Sequence, residues 1–284
     1  MRVQRPVFDA HSHIGEMAPY PYYGLPPVNP TVIEYKDAAA ILKHMDDHGI
    51  ERQMVISNYG IPDSSQPFSL NPLVIDSVEH NDRLVGAIWV SPLLKDQERV
   101  REALQHAGDK GIKALKTTCL LGGTYTVSDW DAETKAHWDE IVDACEANNL
   151  VFHMHTSPGG TSDISNLLTF IREYGKRIKI YVVHMGGGVS GAIKYVPTFF
   201  DLVREGYKVY GDCSWSPGFG SRWMLHELQE RGEAWDRMMF ASDTPWSDFW
   251  SEYYRFENAE IGEELKHRIF YQNAADLYDS SGKK

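Results

Sequence analysis

The sequence predicts an α/β chain folded as a single (β/α)8 TIM barrel, and three observations carry that expectation. Short β-branched or apolar runs recur eight times along the 284 residues, each followed by a helical pattern. The repeat averages about 35 residues per strand–helix unit, the spacing of such barrels. Several runs are apolar on both faces, as strands of an all-parallel sheet must be when helices cover the outside.

The first run, Val7 to His13, ends in His-Ser-His. A doubly wound open sheet would want a glycine-rich phosphate turn at that point, so the barrel fits better. Residues 15–30 follow, where five prolines and three tyrosines stiffen an irregular loop. A loop after a barrel strand belongs to the C-terminal rim, where this one would cover the mouth or make a surface or subunit contact. Asp37 to His48 reads as an amphipathic helix stopped by Gly49. The second and third runs are Gln53 to Asn58 and Leu84 to Val90, with a helix from Asp96 to Ala107 behind the latter. The fourth run, Ile112 to Cys119, precedes a helix over Asp131 to Ala147 whose first turn is acidic, as the helix dipole favours. The remaining runs are Leu150 to Thr156, Ile178 to Met185, Tyr207 to Ser214 and Met238 to Ser242. With no internal repeat, charge block or low-complexity linker, residues 1–284 read as one domain.

Composition narrows the function. Lys and Arg number 28 against 40 Asp and Glu, a formal charge of −12. A surface that acidic repels phosphate backbones and anionic lipid, so nucleic acid and membranes are not the expected partners. The N-terminus lacks an apolar signal region and no apolar run approaches the length of a membrane span. Cys119, Cys145 and Cys213 have no paired spacing and read as reduced thiols, which suits the cytoplasm.

Of twelve histidines, seven fall in helical stretches and read as solvated or locally bonded. The other five, His11, His13, His153, His155 and His184, sit near the C-terminal ends of predicted strands one, five and six, which converge on one mouth. His11 and His13, two residues apart on a strand, point to one face and can bind one ion together. His153-Met-His155 repeats that spacing. His155 is nearer the strand end and is favoured as a third nitrogen, with His153 as a supporting partner or a packed core residue. Asp243 ends strand eight beside strand one; its carboxylate would complete an N3O set suited to Zn2+, with Mn2+ or another divalent ion as alternative. Its competing reading is a turn or helix cap before Pro245. His184, followed by Met-Gly-Gly-Gly, is either a further ligand or a free acid–base group. Tyr20, Tyr22, Tyr23, Trp215 and Trp246 could wall a flat substrate or simply pack at the rim. Lys116, Arg222 and Arg255 could clamp a carboxylate, with a solvated or salt-bridged role as the favoured reading for the two arginines.

Phe8-Asp-Ala-His-Ser-His-Ile-Gly15, the strand ending in His155, Val183-His-Met-Gly-Gly187, Met239-Phe-Ala-Ser-Asp-Thr-Pro245 and Asn273-Ala-Ala-Asp-Leu-Tyr278 resemble, in order, the motifs of the amidohydrolase superfamily. They look most like its amidohydrolase-related branch, which contains aminocarboxymuconate semialdehyde decarboxylase. The resemblance spans the chain from Asp9 to Tyr278. It implies a metal-dependent barrel in which His11, His13, His155 and Asp243 bind one divalent ion, usually zinc, while His184 is the unligated catalytic histidine. It also implies a homo-oligomer, a dimer, acting on a small molecule. Binuclear members of the superfamily carry a carboxylated lysine near the end of strand four, roughly where Lys116 stands; the alternative is that Lys116 meets a substrate anion.

A bound Zn2+ lowers the pKa of coordinated water toward about 7. The leading expectation is therefore hydrolysis of an amide, lactone or related carbonyl by metal-activated water, with Asp243 as base. The alternative on the same residues is non-oxidative decarboxylation of an aromatic or muconate-type acid, with His184 managing the proton. A non-catalytic metal-binding scaffold is the third reading.

Overall fold

The computed structural model describes residues 1–16, 35–58, 65–216 and 218–282. Eight strands form one parallel sheet in sequence order: β1 (Phe8–Ile14), β2 (Arg52–Ser57), β3 (Leu84–Trp89), β4 (Ile112–Thr117), β5 (Val151–His155), β6 (Lys179–Val183), β7 (Val209–Asp212) and β8 (Met238–Met239). Helices α1 (Ala38–His48), α2 (Ser65–Glu79), α3 (Gln97–Leu104), α4 (Ala132–Ala147), α5 (Ile164–Tyr174), α6 (Gly188–Arg204), α7 (Phe219–Arg231) and α8 (Phe249–Glu257) alternate with them, and α9 (Glu263–His267) and α10 (Asn273–Asp279) close the chain. The barrel is the fold expected from the sequence. The Pro/Tyr-rich stretch 15–30 lies outside the described residues beyond Glu16, and Tyr20, Tyr22 and Tyr23 lie outside with it.

Helix boundaries follow local chemistry. Asp37 caps α1 by accepting the Ala40 N–H at 2.8 Å, and Gly49 ends it at φ 81°, a conformation only glycine adopts freely. Asp131, Asp163 and Asp248 cap α4, α5 and α8 in the same way. The helix expected over Asp96 to Ala107 is shorter, Gln97–Leu104: a 3-10 turn over Leu94–Asp96 precedes it, and the N–H groups of Gln105, His106 and Ala107 donate only three residues back, to Glu102, Ala103 and Leu104.

Two apolar layers hold the barrel. Ile41, Val55, Leu115, Phe152 and Val182 are among those filling the space between sheet and helices. Phe8, Ala10, Met54, Ile56, Ala87 and Val151 fill the interior, whose floor is closed by Leu277 and Tyr278 of α10. Along β2 the layers alternate with period two, as a strand requires. β1 breaks that rule: Phe8 and Ala10 face inward, yet Ile14, of the same parity, faces the outer layer. The pairing with β2 slips by one residue between Asp9 and Ser12, a bulge that reverses the alternation and turns His11 and His13 toward the mouth.

β8 is shorter than the run Met238 to Ser242, because its ladder with β7 ends at the Asp212–Met239 pair. Beyond Met239 the chain still follows β1, with Ala10 N–H donating to Phe240 O at 3.0 Å, Asp243 N–H to His11 O at 2.8 Å and His13 N–H to Thr244 O at 2.8 Å. These bonds close the barrel and fix Asp243 against β1. No helix among the described residues is long and apolar enough to cross a membrane.

Candidate active site

The mouth gathers His11 and His13 from β1, Lys116 from β4, His155 from β5, His184 just beyond β6 and Asp243 beyond β8, none more than 6% exposed. Donor atoms of His11, His13 and Asp243 lie within 4.8 Å of one another. Nε2 of His11 and Nε2 of His13 stand 3.4 and 3.3 Å from Asp243 Oδ1. Lys116 Nζ is 3.4 Å from His11 Nε2. His155 adjoins this set without entering it; its ring centre is 5.0 Å from that of His184, edge to face.

Each forward-facing imidazole is tied from behind. His13 Nδ1 lies 3.3 Å from the Ser57 carbonyl, so that nitrogen carries the proton and Nε2 keeps its lone pair. For His11 the tie runs through two residues. Tyr278 O–H donates to the Ala10 carbonyl at 3.2 Å, so its oxygen accepts from His153 Nε2–H at 2.8 Å. His153 Nδ1 then accepts from His11 Nδ1–H at 3.2 Å, leaving His11 Nε2 unprotonated toward Asp243. His153 stacks flat on Tyr181, with ring centres 4.1 Å apart.

His184 is anchored from another direction. Ser214 Oγ donates to Asp212 Oδ1 and accepts from His184 Nδ1–H at 2.9 Å, so Nε2 is the atom free to exchange a proton. That Nε2 lies 3.7 Å from Asp243 Oδ2. The turn carrying it is strained at His184 and Met185, with φ of 66° and 49°, and Trp215 after β7 and Asp243 after β8 also have positive φ, 56° and 53°. It sits against α6 so closely that a Cβ on Gly191 would lie 1.8 Å from the Gly186 carbonyl oxygen.

Burial sets the charges. Desolvation holds His11, His153 and His155 well below the ordinary imidazole pKa, with Lys116 acting in the same direction. Burial also lowers His184, against the pull of Asp243 and Asp212. For Asp243 burial acts upward, but the neighbouring His184 and His13 outweigh it and hold the carboxyl below its usual range. Lys116 is brought down to about 8 by burial. The imidazoles of His11 and His13 beside an ionised carboxylate are a donor set that fits a divalent cation.

The remaining candidates are dispersed. Trp215 is 54% exposed, with its ring 6.1 Å from that of His184. Trp246 is drawn to the rim between β2 and β8, its indole N–H donating to Asn58 Oδ1 at 3.0 Å. Arg255 is committed to the carbonyls of Cys213 and Ser216 and to Glu252, so it makes no carboxylate clamp for a substrate. Residues that motif reading passed over include Asp9, Asp212, Ser214 and Tyr278. Burial pushes Asp9 up to about 7, and its oxygens accept from His11 N–H and from Ser242. Asp9 and Asp212 did leave a signal: a carboxylate inside an apolar strand is expensive to bury without a purpose.

A closed (β/α)8 barrel with a buried His–His–carboxylate cluster at its C-terminal mouth defines the class of metal-binding barrel proteins. Within that class the chain belongs to the amidohydrolase family, whose profile matches residues 8–280. No curated protein matches the chain at a significant level. Solved structures do. The 5-carboxyvanillate decarboxylase of Sphingomonas paucimobilis superposes with a TM-score of 0.66 at 17% identity, covering 98% of this chain and 99% of its own. The 2,6-dihydroxybenzoate decarboxylase of Rhizobium gives 0.64 at 18%, covering 98% and 99%. The dihydroxybenzoic acid decarboxylase of Polaromonas sp. JS666, solved with manganese and 2-nitroresorcinol, gives 0.64 at 16%, covering 97% of each chain. At these identities the likeness is one of fold.

Proposed function

We propose that this protein is a metal-dependent, non-oxidative decarboxylase of a small aromatic or otherwise unsaturated carboxylic acid. The observation that carries the reading is the state of Asp243. Its Oδ1 lies 3.4 and 3.3 Å from Nε2 of His11 and His13, its Oδ2 lies 3.7 Å from Nε2 of His184, and its pKa is held low. A carboxylate held ionised in this way is a weak base for the hydrolytic scheme, and its charge favours a proton on His184, which burial opposes. The full-length likeness to three proteins named as decarboxylases supports the same choice over hydrolysis.

His11, His13 and Asp243 would hold the divalent ion, with His155 as the neighbouring further nitrogen. When bound, the ion supplies a Lewis-acid anchor for the substrate carboxylate and an adjacent oxygen. Lys116 adds positive charge beside His11 and favours an anionic substrate at the same place. His184, neutral at rest with its proton on Nδ1, takes up a second proton on Nε2 and hands it to the carbon that loses its carboxyl group. The C–C bond breaks, its electron pair stays on that carbon and takes the proton, and CO2 departs. His184 is then reprotonated from solvent while Ser214 and Asp212 hold its ring in place.

The test is a panel of hydroxybenzoates and muconate-type acids beside amides and lactones, incubated with Mn2+- or Zn2+-loaded protein in D2O. The expected result is CO2 release with one deuterium at the vacated carbon, and a loss of about 10²- to 10⁴-fold in His184→Asn with metal retained. Turnover of amides or lactones without CO2 would overturn the reading.

A further inference from the structure

Beside the cluster lies a cavity of about 390 Å3, lined among others by Thr156, Gly187, Trp215, Ser247, Glu252 and Arg255. It adjoins the reactive groups directly. Thr156 follows His155, the Trp215 ring is 6.1 Å from that of His184, and Ser247 N–H donates to the Asp243 carbonyl at 3.1 Å. Its volume suits a single substituted ring.

Glu252, on α8, is 1% exposed, and its two oxygens differ. Oε1 accepts from Ser247 Oγ at 2.7 Å, Arg255 Nη2 at 2.9 Å and Trp215 N–H at 3.4 Å. Oε2 is buried with no hydrogen-bond partner among the described residues. Arg255 does not serve it, because Nη1 is spent on the carbonyls of Ser216 and Cys213. A buried carboxylate oxygen without a donor is costly to maintain, and at the wall of a cavity next to a reactive centre it marks a place for an incoming donor. The charges also set an orientation: Lys116 and the metal-binding cluster attract the substrate carboxylate, whereas Glu252, ionised above about pH 7 and paired with Arg255, does not.

We propose that Glu252 is a specificity-determining residue whose Oε2 accepts a hydrogen bond from a hydroxyl or amino group at the end of the substrate remote from its carboxylate. The proposal rests on the unsaturated-acid reading for where that carboxylate goes. It selects donor-bearing rings over rings of equal size that carry only acceptors.

Isothermal titration of the metal-loaded protein with 3-hydroxybenzoate, 4-hydroxybenzoate, 3-aminobenzoate, 3-methoxybenzoate and benzoate tests it, with CO2 release followed in parallel. At least one donor-bearing acid is expected to bind about tenfold or more tightly than 3-methoxybenzoate. Glu252→Gln keeps an oxygen for Ser247, Arg255 and Trp215 but presents an amide donor at the other position, so the preference should vanish or reverse. A gap below about threefold in the wild-type protein, which needs no variant to fold, overturns the proposal. So does a gap that persists in a folded Glu252→Gln. A donor preference without CO2 from any acid supports the subsite and counts against decarboxylation. CO2 release without a preference does the opposite.

Discussion

Replacing Tyr278 by phenylalanine removes one oxygen from the floor of the barrel and should be felt at the metal-binding cluster above it. The ring contact with Phe8, 5.5 Å between centres, survives the change, so the floor stays packed. What is lost, besides the donor to the Ala10 carbonyl, is the acceptor for His153 Nε2–H. Left unpaired in a dry interior, that donor costs about 1–3 kcal/mol. His153 can escape by moving its proton to Nδ1, but that nitrogen faces His11 Nδ1 across 3.2 Å. Two N–H groups cannot share that gap, so His11 would have to carry its proton on Nε2, the atom 3.4 Å from Asp243 Oδ1. A metal would then have to displace it. Loss of such an outer partner weakens metal binding by about 10- to 100-fold, or roughly 1.4–2.7 kcal/mol. Competition against a chromogenic chelator near pH 7.5 measures the affinity, and thermal unfolding reports any general loss of stability. Affinity within about twofold of wild type, at full occupancy of the phenylalanine variant, would refute the tautomer chain.

Other outcomes follow from the same geometry. His11→Ala and Asp243→Ala should each lose the one divalent ion per chain found by elemental analysis of the wild-type protein; full occupancy in both would show that the ion sits elsewhere. The stability of the protein should also depend on pH through Glu252, whose pKa burial raises from 4.5 to about 7. Between those values the native state binds the extra proton, so this contribution falls as pH rises, by up to about 3 kcal/mol above pH 7. Glu252→Gln should therefore lose less stability than wild type between pH 5 and pH 8 in denaturant titrations, and parallel curves would exclude the effect.

The strands were readable because barrel strands buried on both faces leave continuous apolar runs, and their helices carry Asp caps and, for α1, a terminal glycine. His11, His13 and Asp243 stand out because motif spacing on a strand end is a local property. The bulge in β1 is not local. Strict alternation assigns Phe8, Ala10, Ser12 and Ile14 to one face, whereas only the slip against β2 sends Ile14 outward and His11 inward. His153 shows the same limit: its partners His11 and Tyr278 lie 142 and 125 residues away. Glu252 belongs to no motif, and its surroundings exist only where Ser247, Trp215 and Arg255 come together around it.

The sequence by itself determined the barrel, its strand order and the residues rich in metal-binding chemistry, since these rest on periodicity and on side-chain type. The tertiary structure decided which nitrogens of His11, His13 and His184 face the cluster, that both oxygens of Asp243 face imidazole nitrogens, and that one oxygen of Glu252 is buried without a hydrogen-bond partner among the described residues. Those properties depend on hydrogen bonds and burial between residues far apart in the chain, and such pairings exist only once the barrel has closed.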